Sequence, residues 1–253
     1  MTFDLQFFLK DVRYPKRGIA TYLQYRLSQI WPDLYGLSLL TLGHGNYLVP
    51  QTMWYPANYV HGQFLYDPLS SESPYFVKKT CYLSPNNFPF QECSMDRIVY
   101  LHDTKINKYQ FQALLRSCWK TLCDHGKMMF LIPNRLGWWS LIDNLALRFR
   151  NTFLMQKINR LLTQHLFRIS YYERVLYFPP QLMNRLSLCI NRSLDFIGLF
   201  FVPFLGGYHL IEIEKNLFAP ITMAPLKKNY ILQSELSKSI STHRNPLIPP
   251  KLI

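Results

Sequence analysis

Short apolar runs that stop abruptly at turn residues recur along this chain, and stretches with helical spacing fall between them. Leu37–Leu42 is followed at once by Gly43-His44-Gly45-Asn46, Gln63–Tyr66 closes on Asp67-Pro68, and a run between Phe76 and Leu83 dissolves into Ser84-Pro85-Asn86-Asn87. Arg97–His102, Lys127–Ile132 before Pro133-Asn134, Val175–Phe178 and Tyr208–Ile213 are of the same kind. Runs of about four to eight residues bounded in this way read as buried strands. Ile19, Leu23, Leu27 and Ile30 mark one face of a helix that should end near Trp31-Pro32, because the residue before proline resists the helical basin. Phe111, Leu114, Leu115, Cys118 and Leu122 mark another, expected to stop at Asp124-His125-Gly126. Strands alternating with helices predict an open, mostly parallel α/β sheet.

The 253 residues suit one domain with an appendage, and 49% hydrophobic against 17% charged residues suffices for a sizeable core. Beyond about Leu226 the sequence mixes Lys, Ser, Asn and Pro without periodicity. Residues 1–225 are therefore read as the domain, with a basic helical insertion at about 141–174, and 226–253 as a flexible C-terminal tail. The net charge of +13 points to an anionic partner or ligand. Arg148–Arg192 concentrates cations around a single acid, Glu173, and reads first as a solvated helix face over an apolar underside, second as a lid or a surface for an anionic partner. Five cysteines without a CxxC pair suggest neither zinc site nor disulfide framework, and fit a reducing compartment. No secretory signal is expected, and the apolar stretch Phe196–Leu205 is too short for a transmembrane segment, so the expected location is cytoplasmic.

In open α/β sheets, ligands bind beyond the carboxyl ends of the strands. That rule selects Gly43–Tyr47, Asp67, Leu101–Thr104 and Pro133–Arg135. Gly43-x-Gly45 is the part of a nucleotide-binding turn that lets a ligand approach the backbone, although glycines after strands are mostly plain turns. Asp67 is suited to two ribose hydroxyls and equally to starting an Asp-Pro turn. His102, with Asp103, would face the cleft; it is the candidate catalytic residue, able to orient an acceptor or take its proton, or else a hydrogen-bonded loop histidine. No GxSxG elbow or Walker-type phosphate loop is present.

Taken together, Leu39-Leu-Thr-Leu-Gly-His-Gly-Asn46, Phe88-Pro-Phe90, Ser94–His102, Trp119–Gly126 and above all Pro133-Asn-Arg-Leu-Gly137-Trp138 resemble a class I S-adenosylmethionine-dependent methyltransferase, nearest to a bacterial methyltransferase type 11-like family. The similarity spans roughly Ala20 to Ala219. It implies a Rossmann-like sheet with helices on both faces and an antiparallel last strand. It also implies S-adenosylmethionine as cofactor. Gly43, His44 and Gly45 would lie at its methionine part, Asp67 at the ribose, Asn87 and Phe88 at the adenine, and Leu101 and His102 between cofactor and acceptor. Thr41 stands where the family carries an acid before its first glycine, and no Asn/Asp-Pro-Pro-aromatic motif follows the fourth strand, which disfavours base exocyclic amines as acceptors. The expected function is methyl transfer to an unidentified acceptor. The alternatives are a catalytically degenerate binding protein of the same fold and a basic RNA-associated protein.

Overall fold

A computed structural model of the chain describes residues 18–49, 58–64, 79–102, 106–134, 137 and 155–218. The chain divides into a compact unit, Met1–Leu217, and a second unit, Phe218–Ile253; everything below concerns the first. The expected tail, 226–253, lies outside the described residues.

The elements run α1 (Ile19–Ile30), β1 (Ser38–Leu42), a tight helical turn (Gly43–Leu48), β2 (Asn58–Phe64), β3 (Lys79–Leu83), β4 (Met95–Leu101), α2 (Lys108–Thr121), β5 (Leu122–Pro133), α3 (Met155–Gln164), β6 (Phe167–Val175), α4 (Pro180–Arg185), α5 (Leu188–Phe201) and β7 (Tyr208–Lys215). The strands form a seven-stranded sheet in the order β3-β2-β1-β4-β5-β7-β6. Neighbours from β3 to β5 are parallel, and β7 pairs antiparallel with both β5 and β6. The Rossmann-like α/β sheet with an antiparallel last strand is thus observed.

Strand alternation divides the core in two. Leu39, Val99, Leu101, Met129, Leu131 and Leu210 face α1 and bury its Ile19, Leu23 and Leu27. Leu40, Leu42, Ile98, Tyr100, Phe130 and Ile211 face the other way, toward Phe111, Leu114 and Leu115 of α2 and Ile158, Leu161 and Leu162 of α3. Helices therefore cover both faces. The first helix stops at Trp31 as the proline requires, its N–H still reaching Leu27 carbonyl at 2.8 Å. The second begins on a capping box: Asn107 Oδ1 accepts from Gln110 N–H at 2.9 Å, and Gln110 Oε1 from Asn107 N–H at 3.0 Å.

Glu212 of β7 ties the layers together. It is buried and accepts hydrogen bonds from Trp31 Nε1 at 2.6 Å, from Lys127 Nζ at 2.9 Å and from Ser170. Burial alone would raise its pKa, but the three donors outweigh that and hold the carboxyl below its ordinary value.

Several elements depart from expectation. β2 is Asn58–Phe64 rather than Gln63–Tyr66, since Asn58, His61 and Gly62 interrupt its apolar pattern. The second helix ends at Thr121, and residues 122–126 already belong to β5. β6 is Phe167–Val175, not Val175–Phe178. It is an edge strand with a mostly polar, half-exposed sequence, whereas the apolar Leu176 and Tyr177 pack below α5. Of the stretch read as a basic helical insertion, about 141–174, residues 141–154 lie outside the described residues and Phe167–Val175 pairs with β7 as part of the sheet. The helical part of that stretch, α3, does have the expected apolar underside and exposed Lys157 and Arg160.

The cations of Arg148–Arg192 do not share one surface. Those of α3 lie on the α2 face of the sheet, while Arg192 sits over the Tyr25 ring of α1 on the opposite face, at 4.4 Å. The chain crosses the sheet edge through β6 between them, and there Arg168 is paired with Glu214 at 2.7 Å.

Candidate functional site

The strands β1 to β5 all end on one edge of the sheet, and β1 and β4, adjacent in space, are followed by chain leaving in opposite directions. This is the topological switch point at which such sheets bind ligands. The turn Gly43–Leu48 sits there. Gly43 has φ +54°, a left-handed conformation, with the Phe64 ring beside it. Gly45 rests on β4 itself: a Cβ at this position would stand 2.5 Å from the Val99 carbonyl oxygen. His44 is buried and stacks on Tyr47, with ring centroids 6.2 Å apart. From α1, Gln24 Nε2 donates to the Tyr47 carbonyl at 2.9 Å and holds the turn down.

Asn46 is the residue of this turn that sequence reasoning left unassigned. Its side chain is buried, yet neither Oδ1 nor Nδ2 has a hydrogen-bond partner among the described residues. Buried amides are nearly always satisfied, so one without a partner among the described residues, in a glycine turn at the switch point, makes Asn46 a candidate contact for a polar ligand. No local pattern announces this, since Asn after Gly-x-Gly reads as one more turn residue.

The other predicted residues distribute as follows. Thr41, at the position of the family's acid, is fully buried and places Oγ1 3.3 Å from the Tyr59 hydroxyl and 3.1 Å from His61 Nδ1. Asn87 is exposed and its N–H donates to Ser84 carbonyl at 3.2 Å, closing the loop after β3; Ser117 Oγ of α2 pins that loop through Pro85 carbonyl at 3.0 Å. Phe88 is buried in the α2-side core against Phe90. Leu101 directs its side chain into the α1-side core. His102 continues β4, donating its N–H to Leu131 carbonyl at 2.9 Å. Its ring lies 5.4 Å from that of Phe111, centre to centre, and Nδ1 is 3.4 Å from the Tyr100 hydroxyl. Burial lowers its pKa to about 4, so the ring is neutral at physiological pH. Asp67 and Asp103 lie outside the described residues. The structure thus joins Gly43, His44, Gly45 and Asn46 in one turn over β4, and places His102 at the end of that same strand.

Asn134 and Gly137, within the most specific of the sequence matches, serve as a clasp. Asn134 donates from Nδ2 to Gly206 carbonyl at 2.6 Å and from its backbone to Gly207 carbonyl at 2.8 Å, and Gly137 N–H returns to Asn134 carbonyl at 3.2 Å. These bonds fasten the end of β5 to the entry of β7.

No protein-family model and no curated protein sequence matches this chain. Solved structures do. A SAM-dependent methyltransferase from Archaeoglobus fulgidus superposes with a TM-score of 0.55 at 14% identity, covering 80% of this chain and 97% of its own. One from Mesorhizobium loti gives 0.51 at 14% identity over 78% and 99%. A possible histamine N-methyltransferase from Thermotoga maritima gives 0.54 at 11% identity over 83% and 98%. At these identities the likeness speaks for architecture. Together with the strand order and the glycine turn at the switch point, it establishes that the chain has the fold of the class I S-adenosylmethionine-dependent methyltransferases.

Proposed function

We propose that this protein binds S-adenosylmethionine over the Gly43–Asn46 turn and transfers a methyl group to an acceptor. The observation that carries the reading is the buried, unpartnered amide of Asn46 at the switch point. An amide offers both donors and an acceptor, which suits the ammonium and carboxylate of an amino-acid moiety. Gly43 and Gly45 leave the turn without side chains, and His44 and Tyr47 support it from beneath. Asp67, three residues past the end of β2, is assigned to the ribose, and Asn87 with Phe88 to the adenine. When bound, S-adenosylmethionine supplies a methyl group on a sulfonium centre that an acceptor nucleophile takes directly, so the protein has chiefly to align the two and exclude water. His102 contributes by position: its neutral ring can hold an acceptor by a hydrogen bond but is too weak a base to extract protons efficiently.

The second reading, a protein that keeps the fold without catalysis, draws support from Thr41, whose hydroxyl is engaged inside the core where the family presents an acid. Calorimetric titration with S-adenosylmethionine and S-adenosylhomocysteine separates the two. Micromolar binding of both is expected. A folded sample that binds neither would transfer the case to the second reading.

A further inference from the structure

The last helix is built inside out. The stripe of α5 that faces the protein is Asn191, Asp195 and Gly198, while Phe196, Phe200 and Phe201 stand outside, 70%, 75% and 73% exposed. In the turn that follows, Phe204 is 68% exposed. A helix on a water-facing surface has the opposite polarity. Rotation about its axis cannot correct this, because three contacts lock the orientation. Asp195 accepts from Leu176 N–H at 3.0 Å, from Tyr177 N–H at 2.8 Å and from the Tyr22 hydroxyl. Asn191 Nδ2 donates to Met183 carbonyl at 2.9 Å. Gly198 lies so close to Tyr177 that a Cβ would come within 2.3 Å of that residue's Cβ. Asn191 and Asp195 are spent on anchoring, which leaves the phenylalanines of the helix outward.

Beside this ridge, between α1 and α5, is a cleft of about 590 Å³ with Phe196, Ile197 and Leu199 along one lip and Arg26, Arg174 and Arg192 in its wall. Arg26 is neutralised by Glu173. Arg174 donates to the Pro203 carbonyl at 3.1 Å and places its guanidinium over the Tyr172 and Phe204 rings; Arg192 lies over the Tyr25 ring. Neither makes an ion pair among the described residues. Two guanidinium groups without an ion-pair partner among the described residues thus adjoin a band of bare phenylalanines on a chain of net charge +13.

Protein hot spots favour Trp, Tyr and Arg in fitted pockets, whereas Phe and Leu beside cations are the pattern of interfacial helices that enter the headgroup boundary of anionic bilayers. We propose that the ridge Phe196–Phe204 inserts into an anionic phospholipid surface while Arg174 and Arg192 engage lipid phosphates. No helix among the described residues is long and apolar enough to cross a membrane, so the association is peripheral. It is independent of the methyl-transfer reading.

The test is flotation of the full chain with vesicles of phosphatidylcholine alone and with vesicles of phosphatidylcholine and phosphatidylglycerol in equal parts. Binding to the mixed vesicles is expected, weakening as salt rises. The double variant F200S/F201S should retain the wild-type melting temperature, since both side chains are exposed, and lose at least about tenfold in binding. Arg192→Gln should weaken binding to the mixed vesicles several-fold. The proposal is overturned if the wild type does not float with mixed vesicles, if neutral vesicles bind it as tightly, or if F200S/F201S binds unchanged. A wild-type dimer in light scattering that F200S/F201S converts to monomer, without flotation, would assign the ridge to a second copy instead.

Discussion

Replacing Asn46 by leucine should move stability and cofactor affinity in opposite directions. The side chain is buried and both its polar atoms lack partners, so the ligand-free protein carries the desolvation cost of an unsatisfied amide. That cost is about 1–3 kcal/mol. Leucine has the same heavy-atom branching and nothing to satisfy, so, where the site accommodates its bulkier methyl groups, Asn46→Leu is expected to stabilise the ligand-free protein by up to that amount. For a domain of this size each kcal/mol raises Tm by about 2–4 °C. The same change removes the donors and acceptor offered to the cofactor, and a loss of ~1–3 kcal/mol corresponds to about 5- to 150-fold in Kd. Thermal melts without ligand and calorimetry with S-adenosylmethionine measure the two halves separately. A simple packing role predicts unchanged affinity, and a structural hydrogen bond predicts a lower Tm. Either result, a variant less stable than wild type or one that binds the cofactor equally well, would refute the assignment of Asn46.

Gly45→Ala places a Cβ 2.5 Å from the Val99 carbonyl, and backbone cannot yield as a side-chain tip can. A destabilisation of about 1–3 kcal/mol in urea unfolding is expected; wild-type stability would show that the turn is free to lift off β4. His61, His102 and His209 are each lowered to about 4 by burial, with Arg174 adding to the effect at His209. Unfolding restores the ordinary value near 6.5, so between that value and 4 the unfolded chain holds more protons. Stability is therefore full above about pH 6.5 and falls as pH drops toward 4, with a slope approaching ~4 kcal/mol per pH unit if all three titrate. Urea midpoints across that range should show it, and His102→Gln should remove about a third of the slope. Glu212→Gln ends the ion pair with Lys127 and should cost about 1–3 kcal/mol at neutral pH. Since the Glu212 carboxyl is held below its ordinary pKa, the stability it confers is present above that ordinary value and lost as pH falls, so the difference between variant and wild type should shrink in acid.

The sequence determined the architecture because most strands here are buried on both faces. Leu37–Leu42, Arg97–His102, Lys127–Ile132 and Tyr208–Ile213 could be read directly, since a strand between two helical layers has no polar face to disguise it. The helix at Ile19–Ile30 announced itself by period and by Pro32. The glycine turn was legible as a candidate because it follows β1 without a gap. Where surroundings rather than composition decide, the sequence misled. β6 is an edge strand whose polar residues hid it, and Val175–Phe178 borrowed its apolar look from packing under α5.

Only the tertiary structure could say which glycine touches backbone and which asparagine lacks a partner, because both are properties of what lies opposite. Gly45 is required by β4, not by anything in its own turn. Asn134 and Asn46 are alike as sequence, yet the side chain of one is bonded to Gly206 and that of the other has no partner among the described residues. By composition the Phe196–Leu205 stretch suits a core helix and a peripheral contact equally. Its exposure follows from Asp195 and Asn191, which fasten the polar side of α5 inward because two backbone N–H groups after β6 and a carbonyl in α4 need partners there.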